Sequence, residues 1–276
     1  MNKVVIIANC QGIGVKYFLK KSKIFKNSDI VHIRLDKITR GNKKLKKNDF
    51  ELIKNCDLAI YQITSDPKYE KVNPLNLFSK YNPTCKQITF SYIYNNSFYP
   101  FKGPLELQES FLNKPCSIIF DNSKRITDLI DKDYDLNSII KLFEENRIDF
   151  QYEKRWKNTI NILEEKEKKC DVKMANFIKK NFSKKRLFLL ENHPTSFVFI
   201  ELVNQILNIL KLEKLNIKNY GLNDCKLPGG KLPLDKSSCI FFNYNFDIKQ
   251  NNEDYSSDYY IKIIKNIYVF YNKKNI

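Results

Sequence analysis

The fold is first indicated by residues 4–14, which read Val4-Val5-Ile6-Ile7-Ala8-Asn9-Cys10-Gln11-Gly12-Ile13-Gly14. The opening apolar run is rich in β-branched residues and is typical of a buried strand. A polar triplet, Asn9-Cys10-Gln11, follows it directly, and a helix with Tyr17 and Phe18 on its apolar face comes next. Strand, loop and helix in this order predict the start of a parallel sheet with crossover helices.

The same strand and helix signals alternate through the first hundred residues. Strands are predicted at residues 4–8, 29–35, 58–63 and 86–93, with a helix at 48–55. Each strand is more than half apolar, as expected when both faces of a parallel sheet are covered. The fold class is therefore α/β, an open, mainly parallel sheet flanked by helices.

The middle of the chain changes to helical patterns. Helices are predicted at residues 138–146, 152–169 and 172–182, then a strand at 186–190, a helix at 195–210 and a last helix from about Ser257. Because no internal repeat and no Gly-, Ser- or Pro-rich linker interrupts the chain, we expect a single α/β domain over 1–276. The mainly helical segment at about 104–183 is then an insertion in that domain.

Composition excludes several classes of protein. With 276 residues, 42% of them hydrophobic, the chain can bury a full core, which excludes disorder. It has no run of about 18 apolar residues, so no transmembrane segment is predicted. The N-terminus lacks the pattern of a secretory signal, and a cytoplasmic location is expected. Seven cysteines without a C-x-x-C pair argue against a zinc site and a disulfide framework, so no metal is predicted.

The net charge of +17 would ordinarily suggest a nucleic-acid partner. Only six of the 48 basic residues are arginine, however, and the lysines are spread along the whole length. No run of like charges and no known binding module is present. The charge therefore indicates a solvated lysine surface, and no nucleic-acid partner is expected.

The triplet after the first strand is the leading candidate site, since ligands in open α/β folds bind beyond the carboxyl ends of the strands. Gly12 and Gly14 are expected to let the backbone turn sharply and approach a ligand, and the helix start offers N–H groups to an anion. A thiol at a helix N-terminus ionises more easily, which makes Cys10 a candidate nucleophile. The alternative is that Cys10 is only a small buried apolar residue.

His193 is the second candidate. It follows the predicted strand at 186–190 and precedes Pro194, which places the imidazole at the same sheet edge as Cys10. An imidazole accepts and returns protons near neutral pH, and Glu191 or Asn192 could orient it. A structural histidine that precedes a helix is the alternative. His32, within the second strand, is interpreted as structural.

Other polar groups reach the same predicted edge. Gln62, Ser65 and Asp66 lie at or just after the end of the third strand. The Gly229-Gly230 turn, with lysines nearby, could hold a phosphate, but such pairs are more often plain turns.

Several segments together resemble the WcbI family of polysaccharide biosynthesis proteins, over roughly residues 1–212. They are Asn9-Cys10-Gln11-Gly12, residues 62–66 and 94–100, Arg155-Trp156, Cys170-Asp171-Val172, Arg186-Leu187-Phe188 and Asn192-His193-Pro194-Thr195. The resemblance implies an α/β protein that binds coenzyme A and acts as an acetyltransferase on capsular or other surface polysaccharide. By position, the Asn9-Cys10-Gln11 loop and His193 would line its site. Ala8, where the family tends to have glycine, and the lysine-rich C-terminal third depart from the family pattern.

The predicted function is coenzyme A-dependent O-acetylation of a sugar hydroxyl, on a three-layer Rossmann-like or SGNH-like fold. The expected partners are a small-molecule acyl donor, acetyl-coenzyme A, and a carbohydrate acceptor. The catalytic residues would be Cys10 and His193. The cofactor-binding residues would be Asn9, Gln11, Gly12, Gln62, Ser65, Asp66 and Asn192. Two alternatives stay open: an SGNH-type carbohydrate esterase with cysteine as nucleophile, and a non-enzymatic basic protein that binds glycan or nucleic acid.

Overall fold

A computed structural model of the chain describes residues 2–40, 45–64, 70, 72–101, 123–225, 227, 230–245 and 256–274. The chain divides into two compact units. The first unit comprises Met1–Tyr94, Ile160–Lys180 and His193–Pro228. The second unit comprises Asn95–Thr159, Asn181–Asn192 and Gly229–Ile276.

The first unit contains a four-stranded sheet in which neighbouring strands all pair in parallel, in the order β2-β1-β3-β4. The strands are β1 (Lys3–Ala8), β2 (Asp29–Arg34), β3 (Leu58–Gln62) and β4 (Lys86–Phe90). Ile6 of β1 lies opposite His32 of β2 and Ile60 of β3. The predicted α/β class and parallel sheet are confirmed.

The central strands form because they are apolar on both faces. All five residues of β3 are buried, and so are the last five of β1. The fourth strand ends at Phe90, and its predicted extension to residue 93 is wrong. The reason lies in Ile93, whose backbone N–H and C=O are both bonded to the Gln11 side chain and so are not available to a strand ladder.

Within the described residues, six α-helices accompany this sheet in the first unit. They are α1 (Gln11–Leu19), α2 (Leu35–Arg40), α3 (Lys47–Lys54), α4 (Pro74–Tyr81), α8 (Ala175–Asn181) and α9 (Ser196–Ile209). Helix α9 is mostly buried and packs against α1. A Cβ atom added to Gly14 of α1 would lie 2.7 Å from the ring of Phe199 in α9, so the helices meet where α1 has no side chain.

Helix α8 begins three residues later than the predicted start at 172. The buried carboxylate of Glu167 accepts hydrogen bonds from the backbone N–H of Met174 (2.6 Å) and Ala175 (3.1 Å), which satisfies the first N–H groups of the helix. Val172 instead donates its N–H to Thr89 C=O (3.0 Å). A carboxylate from the end of the preceding helix therefore sets this boundary.

The second unit is mainly helical. It holds α5 (Ser123–Ile130), α6 (Leu136–Glu144), α10 (Lys236–Phe241) and α11 (Ser257–Lys274), while α7 (Tyr152–Glu167) contributes residues to both units. Its buried core is rich in aromatic rings, among them Phe98, Tyr99, Phe101, Phe143, Phe150, Phe188, Phe242 and Tyr260. Residues 102–122 of the predicted insertion lie outside the described part of the chain, and the single domain stays a prediction.

The strand predicted at 186–190 is shorter, β5 (Phe188–Leu190), and a two-residue strand, β6 (His193–Pro194), follows it. Neither belongs to the four-stranded sheet, so the expectation that His193 ends a strand of that sheet is wrong. Within the described residues, no helix combines the length and the apolar character needed to cross a membrane.

Candidate functional site

The loop after β1 lies where an open α/β sheet forms its ligand crevice. With the order β2-β1-β3-β4, β2 lies on one side of β1 and β3 on the other, so the connections diverge at this point. Ligands bind at such a switch point, beyond the carboxyl ends of the strands. The structure places Asn9, Cys10 and Gln11 there, as the sequence predicted.

A buried network of amides holds this loop in place. The Oε1 atom of Gln11 accepts hydrogen bonds from Gln62 Nε2 and from Ile93 N–H, both at 3.1 Å. Gln11 Nε2 donates to Ile93 C=O (2.5 Å), and Asn9 N–H donates to Gln62 Oε1 (2.9 Å). The Gln11 side chain thus connects the loop after β1 to the end of β3 and to the segment that follows β4. Its buried polar atoms all have hydrogen-bond partners, as buried polar groups in stable proteins do.

Cys10 is partly exposed and occupies the N-cap position of α1. Ile13 donates its N–H to Cys10 C=O (3.0 Å), while Gln11 donates its N–H to Asn9 Oδ1 (2.9 Å). The thiol therefore lies at the positive end of a helix dipole. The predicted position of Cys10 matches this geometry.

His32 packs over the start of α1. Its Nε2 donates to Ala8 C=O (3.2 Å), and a Cβ atom at Gly12 would overlap the His32 ring. Burial lowers the pKa of His32 to about 4, so the ring is neutral at neutral pH. The expectation that Gly12 and Gly14 permit a sharp turn is wrong, because neither has a positive φ; both provide space for a neighbouring ring.

Arg34 is a site residue that the sequence reasoning missed. Its guanidinium donates to both carboxylate oxygens of Asp36, with Nε to Oδ1 at 2.7 Å. The hydrogen bond to Asp36 is the main cause that raises the pKa of Arg34, and an electrostatic interaction with Cys10 adds to it. A signal was available, because parallel register places Arg34 opposite Ala8 at the ends of β2 and β1.

His193 lies just before α9, the helix that packs on α1. The two helices contact each other at Gly14, the fourth residue of α1, and Phe199, the fourth residue of α9. Measured along each helix axis, the contact is therefore about 5 Å from the start of the helix. Cys10 directly precedes α1, and His193 lies three residues before Ser196, the first residue of α9. The two predicted catalytic residues therefore flank the N-termini of two helices in contact.

The His193 ring is 7% exposed, and its Nδ1 atom has no hydrogen-bond partner among the described residues. Burial lowers the pKa of His193, so a neutral imidazole is favoured at neutral pH. An unsatisfied buried nitrogen costs about 1–3 kcal/mol. A ligand that supplies its partner is stabilised by a comparable amount.

The other predicted site residues stay predictions. Asn192 is partly exposed and directly precedes His193, and Ser65 and Asp66 lie outside the described residues. No group of three or more His, Cys, Asp or Glu side chains in the described part of the chain is arranged to hold a metal ion.

A family model for the polysaccharide biosynthesis enzyme WcbI matches residues 3–215 of the chain. The chain belongs to the WcbI family. A solved WcbI structure is similar to this member with a TM-score of 0.68 and 18% sequence identity, covering 98% of this chain and 90% of the other. That structure is described as a novel polysaccharide biosynthesis enzyme, native and without a disulfide bond between coenzyme A and a cysteine. No curated protein matches this WcbI-family chain.

Proposed function

We propose that this WcbI-family chain transfers an acetyl group from acetyl-coenzyme A to a sugar hydroxyl. The observation that carries the proposal is the position of Cys10 at the N-terminus of α1, at the sheet's switch point, with buried His193 just before α9, which packs on α1. Membership of a family of polysaccharide biosynthesis enzymes supports the carbohydrate acceptor. The description of the solved WcbI, which relates coenzyme A to a cysteine, supports the donor.

His193 acts as the general base in this proposal. Its lowered pKa keeps the ring neutral, so that it accepts a proton either from the sugar hydroxyl or from the Cys10 thiol. The deprotonated oxygen or sulfur attacks the thioester carbonyl, the carbon–sulfur bond breaks, and His193 returns the proton to the departing thiolate. If Cys10 carries the acetyl group first, the sugar hydroxyl then displaces it with His193 again as base.

The loop residues divide into those that contact the donor and those that position the loop. Because Asn9 Oδ1 is bonded to Gln11 N–H, the Nδ2 group of Asn9 is the donor that we assign to the developing oxyanion. Gln11, Gln62 and Gly12 make their hydrogen bonds within the protein or pack against it, and we assign them to positioning. Contacts of coenzyme A with Ser65, Asp66 and Asn192 complete the proposed site.

The whole chain suits an anionic donor. A net charge of +17 attracts the phosphates of coenzyme A over a distance that salt shortens to about 8 Å at physiological ionic strength. A cytoplasmic location, where its cysteines stay reduced, fits this reaction.

The test is an acetyl-transfer assay with purified protein, acetyl-coenzyme A and an oligosaccharide acceptor. We expect Cys10→Ala and His193→Ala each to lower turnover by about 100-fold or more. Cys85→Ala, which removes another partly exposed thiol, serves as the matched control and should retain turnover. Unchanged turnover in both site variants would refute the assignment, and acetate release without coenzyme A would favour the esterase.

A further inference from the structure

The second unit contains a cavity of about 490 Å³ that the proposed acyl-transfer site does not use. One wall is formed by residues 146–154, which lead into α7 and include its first turn, and the other by α10. The volume lies within the range of about 300–1,000 Å³ that small-molecule sites occupy. The cavity is therefore large enough for a ligand.

A buried carboxylate holds the α10 wall of the cavity in place. Asp235 is 1% exposed and caps the helix by accepting hydrogen bonds from the N–H of Ser237 (2.9 Å) and Ser238 (3.3 Å). Tyr152 donates its hydroxyl to the same carboxylate (3.2 Å) and lies 2.8 Å from Ser237 Oγ. Because both walls share this network, the lining is preorganised for binding.

The surface of the cavity combines an aromatic face with polar groups. The ring of Phe241 is 48% exposed and lies 5.6 Å from the ring of Tyr152, centroid to centroid. Asp149, Gln151 and Glu153 line the same space. An aromatic face packs against the apolar C–H face of a sugar ring, while carboxylate and amide oxygens accept hydrogen bonds from its hydroxyls.

The charge of the lining selects among ligands. The chain carries 48 basic and 31 acidic residues, yet the cavity is lined by Asp149 and Glu153 against one cation, Lys154. Lys157, outside the lining, pairs with Glu153 at 2.5 Å. Two carboxylates are thus balanced by two lysines, and the lining has no excess of positive charge to attract phosphates or anionic glycans. In this respect it differs from the chain as a whole, which carries a net charge of +17.

We propose that this cavity is a subsite for a neutral sugar residue of the carbohydrate acceptor. The inference rests on the proposed function, which requires a carbohydrate acceptor, and it assigns the binding of one part of that acceptor to the second unit. Phe241 provides the stacking face, and Glu153 and Asp149 accept hydrogen bonds from the sugar hydroxyls.

The test is saturation-transfer NMR on the full chain with three neutral disaccharides, maltose, cellobiose and lactose, and with an anionic control, oligogalacturonate. We expect at least one neutral disaccharide to bind and Phe241→Ala to weaken that binding by about 10-fold or more, as removal of an aromatic anchor does. Val269→Ala is the matched control, because Val269 is 49% exposed in α11 and does not line the cavity. It should bind as the unmodified chain does.

Glu153→Gln is the second variant and keeps the claim testable if Phe241→Ala folds poorly. It removes a charge from an exposed position, and we expect it to weaken disaccharide binding while the melting temperature changes little. Binding of oligogalacturonate alone, binding of none of the three disaccharides, or equal binding by both cavity variants and the control would overturn the subsite.

Coenzyme A binding, followed by thermal shift in the same samples, separates this inference from the proposed function. We expect Phe241→Ala to keep the shift produced by coenzyme A. Acetyl transfer with an unchanged KM for the acceptor in Phe241→Ala would overturn the subsite alone. The opposite outcome is also possible to observe. If the unmodified chain transfers no acetyl group but binds a disaccharide, and Phe241→Ala loses that binding, the subsite is supported and the proposed reaction is overturned.

Discussion

The central strands of the first unit are packed mainly with aliphatic side chains, whereas the core of the second unit is built largely from aromatic rings between helices. In β1 and β3 the buried residues are mainly Val, Ile, Leu and Ala, which pack at the close spacing of strands, and buried rings such as Phe18, Phe78 and Phe199 cover the sheet from outside these two strands. In the second unit, the ring of Phe98 has several ring neighbours, including Trp156, Phe188 and Phe242 at 5.1–5.6 Å. Large rings fill the wider gaps between helices, because no backbone hydrogen bonds between neighbouring elements fix the distance there as they do between strands.

The two units also differ in their buried polar groups. In the first unit, the network around Gln11 and Gln62 consists of neutral amides, and nearby His32 is neutral because of burial. In the second unit, the buried network is built on a carboxylate, Asp235, whose pKa burial raises. His32 and Asp235 should therefore make stability depend on pH in opposite directions, and truncation should cost more in the aromatic core.

The largest effect is expected in the aromatic core. Phe242 is 5% exposed and contacts six other rings, so Phe242→Ala leaves a large cavity and should lower the free energy of unfolding by about 4 kcal/mol. Urea denaturation measures the loss. Its neighbour Phe241 is half-exposed, and Phe241→Ala should cost clearly less; equal losses would contradict the packing described for this core.

A smaller effect is expected from His32. Its pKa is about 4 in the folded chain against 6.5 in its ordinary state, so its contribution to stability is present above pH 6.5 and is lost as the pH falls toward 4. This lowering of the pKa of His32 corresponds to about 3 kcal/mol. Urea denaturation across this range, for the unmodified chain and His32→Asn, should show a pH-dependent difference. Parallel pH profiles would show that burial does not hold this ring neutral.

The amide network should contribute next. Gln11→Leu keeps the volume of the side chain but leaves Ile93 and Gln62 without their buried partners, and we expect it to lower the free energy of unfolding by about 2 kcal/mol. Asn76→Ala, at an exposed amide of α4, is the control and should have little effect. A Gln11→Leu chain as stable as the control would mean that the network does not tie the strand ends.

The smallest effect concerns Asp235. The unfolded chain holds this carboxyl at its ordinary pKa of 3.8, and burial raises the value in the folded chain. Its contribution to stability is therefore full below 3.8 and is lost as the pH rises through the raised value. Asp235→Asn should flatten this decline in urea denaturation across the acidic range. A steeper decline in the variant would contradict the sign.

The elements that local patterns control were predictable. The predicted strands at 4–8, 29–35 and 58–63 differ from the observed ones by one residue at an end, because each is a short apolar run between polar turns. The position of the Asn9-Cys10-Gln11 triplet at the sheet edge followed from parallel topology alone.

The features that the sequence did not predict depend on particular side-chain contacts, most of them between residues far apart in the chain. The end of β4 is set by Gln11, 82 residues from Ile93, and the start of α8 by Glu167. The interaction of Arg34 with Cys10 requires the pairing of β1 with β2, and the position of His193 before a helix that contacts α1 requires the packing of α9 on α1. None of these contacts leaves a periodic signal in the sequence.

The central claim, that coenzyme A binds against Cys10 at the sheet edge, is tested most directly by protection from alkylation. Each cysteine is followed by peptide mass spectrometry during reaction with iodoacetamide, with and without saturating coenzyme A. We predict that coenzyme A slows the modification of Cys10 and leaves Cys85 and Cys239, which are also partly exposed, unchanged. An unchanged rate at Cys10 would contradict the claim.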